Sequence, residues 1–255
     1  MTTIILARHG HVEGINPPRF RGQHPLPLSE QGLQEAKMTA DRIASTWRPV
    51  AVQTSPLERC VTTGRVIAEA CGLQAAVSAS LQDLNYGDWQ WKTYDEVKEQ
   101  WPAAYEQWRS MPHLTRFPFG ESLQDIVLRS ADAFRAAVES FPDDLIVLVG
   151  HDSVNRALLL QLLDQPLSAY WRLAQDPCCI NVIEYKREKI TVKSINDTSH
   201  VRWSSATPWP PRVLKRRGAD RVMASTAAAE RNSAKDGPWA IHPSRRAEPP
   251  RFHEQ

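Results

Sequence analysis

Short apolar runs alternate along this chain with longer stretches in which apolar positions recur every three or four residues. Thr3–Ala7 is a β-branched and apolar run suited to a buried strand. Ser29 can cap a helix whose apolar positions Leu33, Ala36, Ala40, Ile43, Ala44 and Trp47 lie at helical spacing. Val50–Gln53 reads as a second strand. Ser55-Pro56 supplies an N-cap and a first-turn proline for a helix with Leu57, Cys60, Val61, Ile67, Ala68 and Cys71 on one face, stopped by Gly72. A further helix is expected over Ser122–Ser140. Leu145–Val149 is five consecutive aliphatic residues, the pattern of a central parallel strand covered on both faces, and a leucine-rich helix follows it. Residues 180–185 and 189–195, joined around Arg187-Glu188, read as a closing hairpin. Strands alternating with helices predict a three-layer α/β/α sandwich around a mostly parallel sheet.

Composition adds limits. The chain has 255 residues, 42% of them hydrophobic and 24% charged, with a net charge of +2. Those proportions are ordinary for a folded globular protein. No apolar stretch approaches the roughly 18 residues needed to span a membrane, and the run at Ile4–Ala7 is too short for a signal peptide, so the expected location is cytoplasmic. Cys60, Cys71, Cys178 and Cys179 show no metal-binding spacing and read as free thiols. The charge is unevenly placed: residues 207–255 hold ten Lys/Arg against five Asp/Glu, with seven prolines and few large apolar residues. The expected organisation is therefore a folded domain at 1–206 and a disordered basic Pro/Arg-rich tail at 207–255. The tail's basic residues are scattered rather than clustered, which disfavours nucleic acid as a partner.

In a parallel sheet, ligands bind beyond the carboxyl ends of the strands. Three polar clusters fall there: Arg8-His9-Gly10 after the first strand, Thr54-Ser55-Pro56-Leu57-Glu58-Arg59 after the second, and Gly150-His151-Asp152 after the central one. Two histidines and two arginines thus converge on one rim. Arginine's planar fork suits a bidentate grip on phosphate, and helix N-termini favour anions. A neutral imidazole beside a phosphate can attack phosphorus, and a nearby carboxylic acid can protonate the leaving alcohol.

These segments also carry a resemblance. Arg8-His9-Gly10 is similar to the RHG signature of the histidine phosphatase superfamily, which includes cofactor-dependent phosphoglycerate mutases and many small phosphatases. Arg19-Phe20-Arg21-Gly22 resembles its RFxG segment, Pro27-Leu28-Ser29-Glu30-Gln31-Gly32 its PLTxxG helix start, and Thr54-Ser55-Pro56-Leu57-Glu58-Arg59 its TSxLxR motif. Asp83-Leu84-Asn85-Tyr86-Gly87-Asp88-Trp89 resembles its ExxFGxWEG motif, Gly120-Glu121-Ser122 its GES helix start, and Val149-Gly150-His151 its second histidine. The match covers everything but the tail, and it implies a phosphoglycerate mutase-like fold.

The resemblance implies roles. His9 would be the phosphorylated nucleophile, with Arg8, Arg59 and His151 binding the phosphate and its transition-state charge. Asp83 would be the general acid and then the base for water, and Arg19 an additional anion contact at the pocket mouth. No metal or other cofactor is implied, because arginines and His151 supply the positive charge. Several positions depart from the family pattern. Ile15 stands where an asparagine is common, Asp83 where the acid is usually glutamate, Trp91 where glycine is usual, and Asp152-Ser153 where many members have Gly-Gly. Asp88 and Glu121 are rival acids, and Arg19 has the alternative of a solvated loop residue. The aromatic residues between Tyr86 and Phe119 are read first as core and lid packing, with an apolar substrate pocket as the alternative. Only 68 positions separate Asp83 from His151; the resemblance implies a longer insertion there in mutases, so this spacing looks more like the compact phosphatases. The expected function is therefore hydrolysis of small phosphomonoesters. The alternatives are phosphoglycerate mutase-type phosphoryl transfer and an inactive phosphate-binding homologue; a homodimer is left open.

Overall fold

The computed structural model describes residues 1–201; the remainder, including the expected tail at 207–255, lies outside the described residues. Six strands form one sheet: β1 (Thr2–Arg8), β2 (Ala51–Thr54), β3 (Ala75–Val77), β4 (Leu145–Gly150), β5 (Ile180–Lys186) and β6 (Lys189–Asp197). Their spatial order is β3-β2-β4-β1-β5-β6. The β3–β2, β2–β4 and β4–β1 pairs are parallel, and β1–β5 and β5–β6 antiparallel, so the mostly parallel sheet expected from the sequence is present. Arg187 and Glu188 take φ values of 48° and 63°, the left-handed pair that a two-residue hairpin turn requires.

Strand periodicity builds the layers. Side chains alternate across a strand, so Ile5, Val147 and Val149 point to one face and Ile4, Leu6, Ile146 and Leu148 to the other. The first set packs with Ala40 and Ile43 of α1 (Glu30–Thr46) and with Cys60 and Ile67 of α2 (Glu58–Ala70). The second packs with Phe134 and Ala137 of α5 (Leu123–Ser140) and with Leu158 and Leu159 of α6 (Asp152–Leu162). Helices therefore cover both faces, and the three-layer α/β/α reading holds. Two short helices, α3 (Tyr94–Gln100) and α4 (Pro102–Ser110), carry the aromatic residues into a separate cluster around Trp89, Trp108, Phe117 and Tyr170.

Three local expectations need correction. The α2 helix starts at Glu58 with Leu57 as its cap, not at Ser55-Pro56. The Ser55 hydroxyl accepts from the Leu57 N–H within the turn that precedes the helix and also lies 2.8 Å from His151 Nε2, which ties it to the histidine cluster. Of the apolar positions at helical spacing in α1, Leu33 is 47% exposed. The inward stripe of α1 keeps Ala36, Ala40 and Ile43 and is completed by Gly32, Glu35 and Thr39. Glu35 joins it because its carboxylate accepts from the His11 backbone N–H at 2.7 Å. The short edge strand β3 has only Ala-Ala-Val to mark it and was not foreseen.

Candidate active site

Parallel pairing of β1 with β4 sets Arg8 beside Gly150, and the His9 N–H donates to the Gly150 carbonyl at 3.1 Å. Both histidines thus leave neighbouring strands at the same height, with ring centroids 5.2 Å apart. Gly10 is required immediately after His9: a Cβ there would stand 2.5 Å from the Gly32 carbonyl oxygen at the start of α1. His9 is 1% exposed and His151 fully buried.

The tautomer of His9 follows from its contact. Nδ1 lies 2.7 Å from the Gly10 carbonyl, which can only accept, so Nδ1 carries the proton and Nε2 keeps its lone pair. Burial, and then the charges of Arg59 and Arg8, hold the His9 imidazole well below the usual histidine pKa. The same causes in the same order act on His151. Both rings are neutral near pH 7 in the absence of a bound anion.

The two buried arginines are anchored through part of each guanidinium. Arg8 Nη1 donates to the Gln175 carbonyl. Gln175 is locked by side-chain hydrogen bonds with Asn155 and Asn181. Arg59 donates to the carbonyls of Gly22 and His24 and to Asp83 Oδ2 at 3.0 Å. The Nε–H of each arginine is buried without a partner among the described residues. Buried donors in that condition are costly unless an acceptor completes them, and an oxyanion is the acceptor that suits two guanidinium groups.

Asp83 reaches this cluster: Oδ2 lies 3.0 Å from Arg59 and 3.4 Å from His151 Nδ1. Oδ1 accepts from the Leu84 N–H and from the Ser153 hydroxyl. Burial raises its pKa above the usual aspartate value. Arg59 opposes that rise and the neighbouring carboxylate of Asp152 adds to it. A raised pKa favours the protonated form of the carboxyl, the form that can donate to a leaving oxygen. The segment presenting it is clamped by Arg129, which forks onto Glu121 and donates to the carbonyls of Ser80, Gln82 and Asp83. Glu121 is thereby spent as a structural acceptor and Asp88 is exposed, so neither rival acid faces the histidines.

Arg19 stands apart from Arg8 and Arg59. It lines a cavity of about 130 Å³ next to Asp83, together with Arg21, Asp152, Arg156, Tyr86 and Tyr94. Its guanidinium donates to the Trp91 carbonyl at 2.8 Å and stacks over the Trp91 ring. Trp91 itself adopts φ 66°, the left-handed conformation that explains the family's glycine here, and its ring stacks against His24. Sequence reasoning did not assign roles to Ser153, Asp152, Arg21, Arg156 or Arg129. Their signals were the Asp152-Ser153 departure after the second histidine and the four-residue spacing of Asp152 and Arg156 on one helix. Burial pushes the Asp152 carboxyl up, but Arg8, Arg156 and Arg21 more than reverse this and hold it ionised. Cys60, 3.4 Å from His151 Nε2, has its thiol pushed up to about 12 by burial and is inert as a nucleophile. Among the described residues no cluster of His, Cys, Asp and Glu is arranged to hold a metal ion, and no helix is long and apolar enough to cross a membrane.

An α/β/α sandwich that gathers two neutral histidines, two buried arginines and a carboxyl at its strand ends defines a class of phosphate-handling enzyme. Residues 4–198 match the model of the histidine phosphatase superfamily (branch 1), and the chain belongs to that family. It is 30% identical over 203 residues to the metal-independent phosphoserine phosphatase of Arabidopsis thaliana, covering 79% of this chain and 84% of that protein. It is 28% identical over 201 residues to phosphoserine phosphatase 1 of Hydrogenobacter thermophilus, covering 79% and 95%. The solved structure of Bacillus stearothermophilus YhfR superposes with a TM-score of 0.75 at 26% identity, covering 79% of this chain and all of that one.

Proposed function

We propose that this protein is a metal-independent phosphatase of small phosphomonoesters that works through a phosphohistidine on His9. The observation carrying the reading is the pairing of a neutral His9, its Nε2 lone pair free, with partnerless buried N–H groups on Arg8 and Arg59. His9 Nε2 attacks phosphorus, forming the P–N bond as the P–O bond to the alcohol breaks. The Asp83 carboxyl gives its proton to the departing oxygen. Water then attacks phosphorus, Asp83 takes the water's proton, and the P–N bond breaks to release inorganic phosphate. Arg8, Arg59 and His151 stabilise the charge that builds on the phosphoryl oxygens. The phosphoserine phosphatases among the relatives make O-phosphoserine the first substrate to try.

The test is hydrolysis of p-nitrophenyl phosphate and O-phosphoserine in EDTA by the wild type and by His9→Ala. Turnover that survives the chelator and disappears in the variant supports the reading. Activity that persists in His9→Ala, or that EDTA abolishes, rejects it. Interconversion of phosphoglycerates without net phosphate release would place the protein with the mutases instead.

A further inference from the structure

Next to the cavity beside Asp83 lies a second one, of about 300 Å³, lined by Phe20, Tyr94, Tyr105, Trp108, Arg109 and Trp171. The two cavities share Tyr94 and Trp171, which are 36% and 43% exposed although both are large aromatic residues. Exposed rings facing a cleft are the feature that core packing alone does not account for.

These walls are held rigidly. The Trp171 indole N–H donates to the Trp108 carbonyl at 3.0 Å, and the two rings meet edge to face at 5.0 Å. Arg156 lies over Trp171 and Tyr170 at 5.5 and 5.4 Å. On the opposite side Tyr94 packs on Phe20 with ring centroids 4.6 Å apart. The slot thus presents ring edges and faces fixed in advance, so a planar guest meets them without the entropy cost of ordering side chains.

We propose that this slot is a leaving-group subsite, and that the preferred substrates are phosphomonoesters whose alcohol carries an aromatic ring. The inference rests on the phosphatase reading, because the slot shares Tyr94 and Trp171 with the cavity walled by Asp83. A cavity of about 150 Å³ lined by apolar side chains admits benzene, so this one has room for a fused two-ring system. Two walls shared with the cavity that Asp83 lines, beside the carboxyl that would protonate the leaving oxygen, point to one end of a substrate as the occupant rather than to a separate ligand. Arg109, exposed at the slot, leaves one charged contact for a polar substituent on the ring.

The experiment compares 2-naphthylmethyl phosphate with propyl phosphate, both esters of primary alcohols, so that the chemistry at phosphorus is matched. The ratio of their kcat/KM values is expected to favour the naphthylmethyl ester by at least about tenfold, the scale of one well-filled apolar pocket. In Trp171→Ala the ratio should fall to within about threefold of unity; reading a ratio within each protein cancels any general loss of activity. The Kd values of the two corresponding phosphonates, measured by calorimetry, should show the same preference without requiring turnover. A wild-type ratio near one in both measurements, or a preference unchanged by Trp171→Ala, overturns the subsite. A strong phosphonate preference in a protein that hydrolyses neither ester retains the subsite and counts against the phosphatase reading alone.

Discussion

Replacing Asp83 by asparagine separates the chemistry of this site from its stability. Breaking a buried ion pair by deleting one partner ordinarily costs about 3–5 kcal/mol, because a bare charge is left behind. Two features reduce that cost here. Arg59 keeps its bonds to the Gly22 and His24 carbonyls, and the Asp83 pKa is raised, so the fold as a whole disfavours the charged carboxylate despite Arg59. Asparagine imitates the neutral form. Asp83→Asn is therefore expected to lie within about 1–2 kcal/mol of wild type in urea unfolding, well under the bare-charge figure. The kinetic effect should be large. With an alkyl phosphate the leaving oxygen needs a proton, and loss of a positioned acid slows turnover by about 10²–10⁴-fold. With p-nitrophenyl phosphate the leaving group departs unprotonated, so the first step survives and the water-attack step is slowed. Stopped-flow absorbance should then show a burst of about one nitrophenolate per enzyme followed by slow release. An undiminished steady-state rate on an alkyl phosphate would refute the assignment of Asp83. A stability loss of about 4 kcal/mol would refute the reasoning about its charge.

Three further outcomes are expected. Ser153→Ala removes a hydrogen bond that lowers the Asp83 pKa. The alkaline limb of the kcat profile on an alkyl phosphate should therefore move to higher pH, and a limb that stays in place or moves down would show that Ser153 does not act through Asp83. His9 and His151 have folded pKa values below the unfolded value near 6.5, so the stability they support is complete above that pH and is lost as pH falls below it. Both histidines lower stability on that descent, while Asp83, raised in the folded state, shifts the opposite way. Urea midpoints should fall over that range in the wild type and fall less in His9→Ala; equal slopes would contradict the buried neutral histidine. Finally, Gly10→Ala forces a methyl to 2.5 Å from the Gly32 carbonyl oxygen, and a destabilisation of about 1–3 kcal/mol should appear in thermal unfolding.

Much of this molecule was legible in its sequence because the decisive signals are local. A run such as Leu145–Val149 has one good place in an α/β protein, the middle of the sheet, and residues that follow strand ends fall on one rim by topology. That topology alone brings Arg8, His9, Arg59 and His151 near one another. What escaped were features whose cause lies far along the chain. Ser55 looks like a helix cap from its neighbours, yet its hydroxyl also meets His151, 96 positions away. Ser153 stands out only as a departure after the second histidine until Asp83, 70 positions earlier, is set against it. The support of Asp83 by Arg129 joins residues 46 positions apart. The aromatic middle segment was ambiguous for another reason: it forms two short helices, one opened by the Thr93–Glu96 capping box and the next by Pro102, too brief to show a clear apolar stripe.

The covalent intermediate tests the account most directly. Asp83→Asn should be mixed with p-nitrophenyl phosphate, quenched within milliseconds under alkaline conditions, digested, and mapped by mass spectrometry. The account predicts one phosphoryl group on the peptide holding His9, stable to base, labile to acid, and missing from a protein that also carries His9→Ala. Turnover without a phosphorylated peptide, or phosphate on any side chain other than His9, would contradict it.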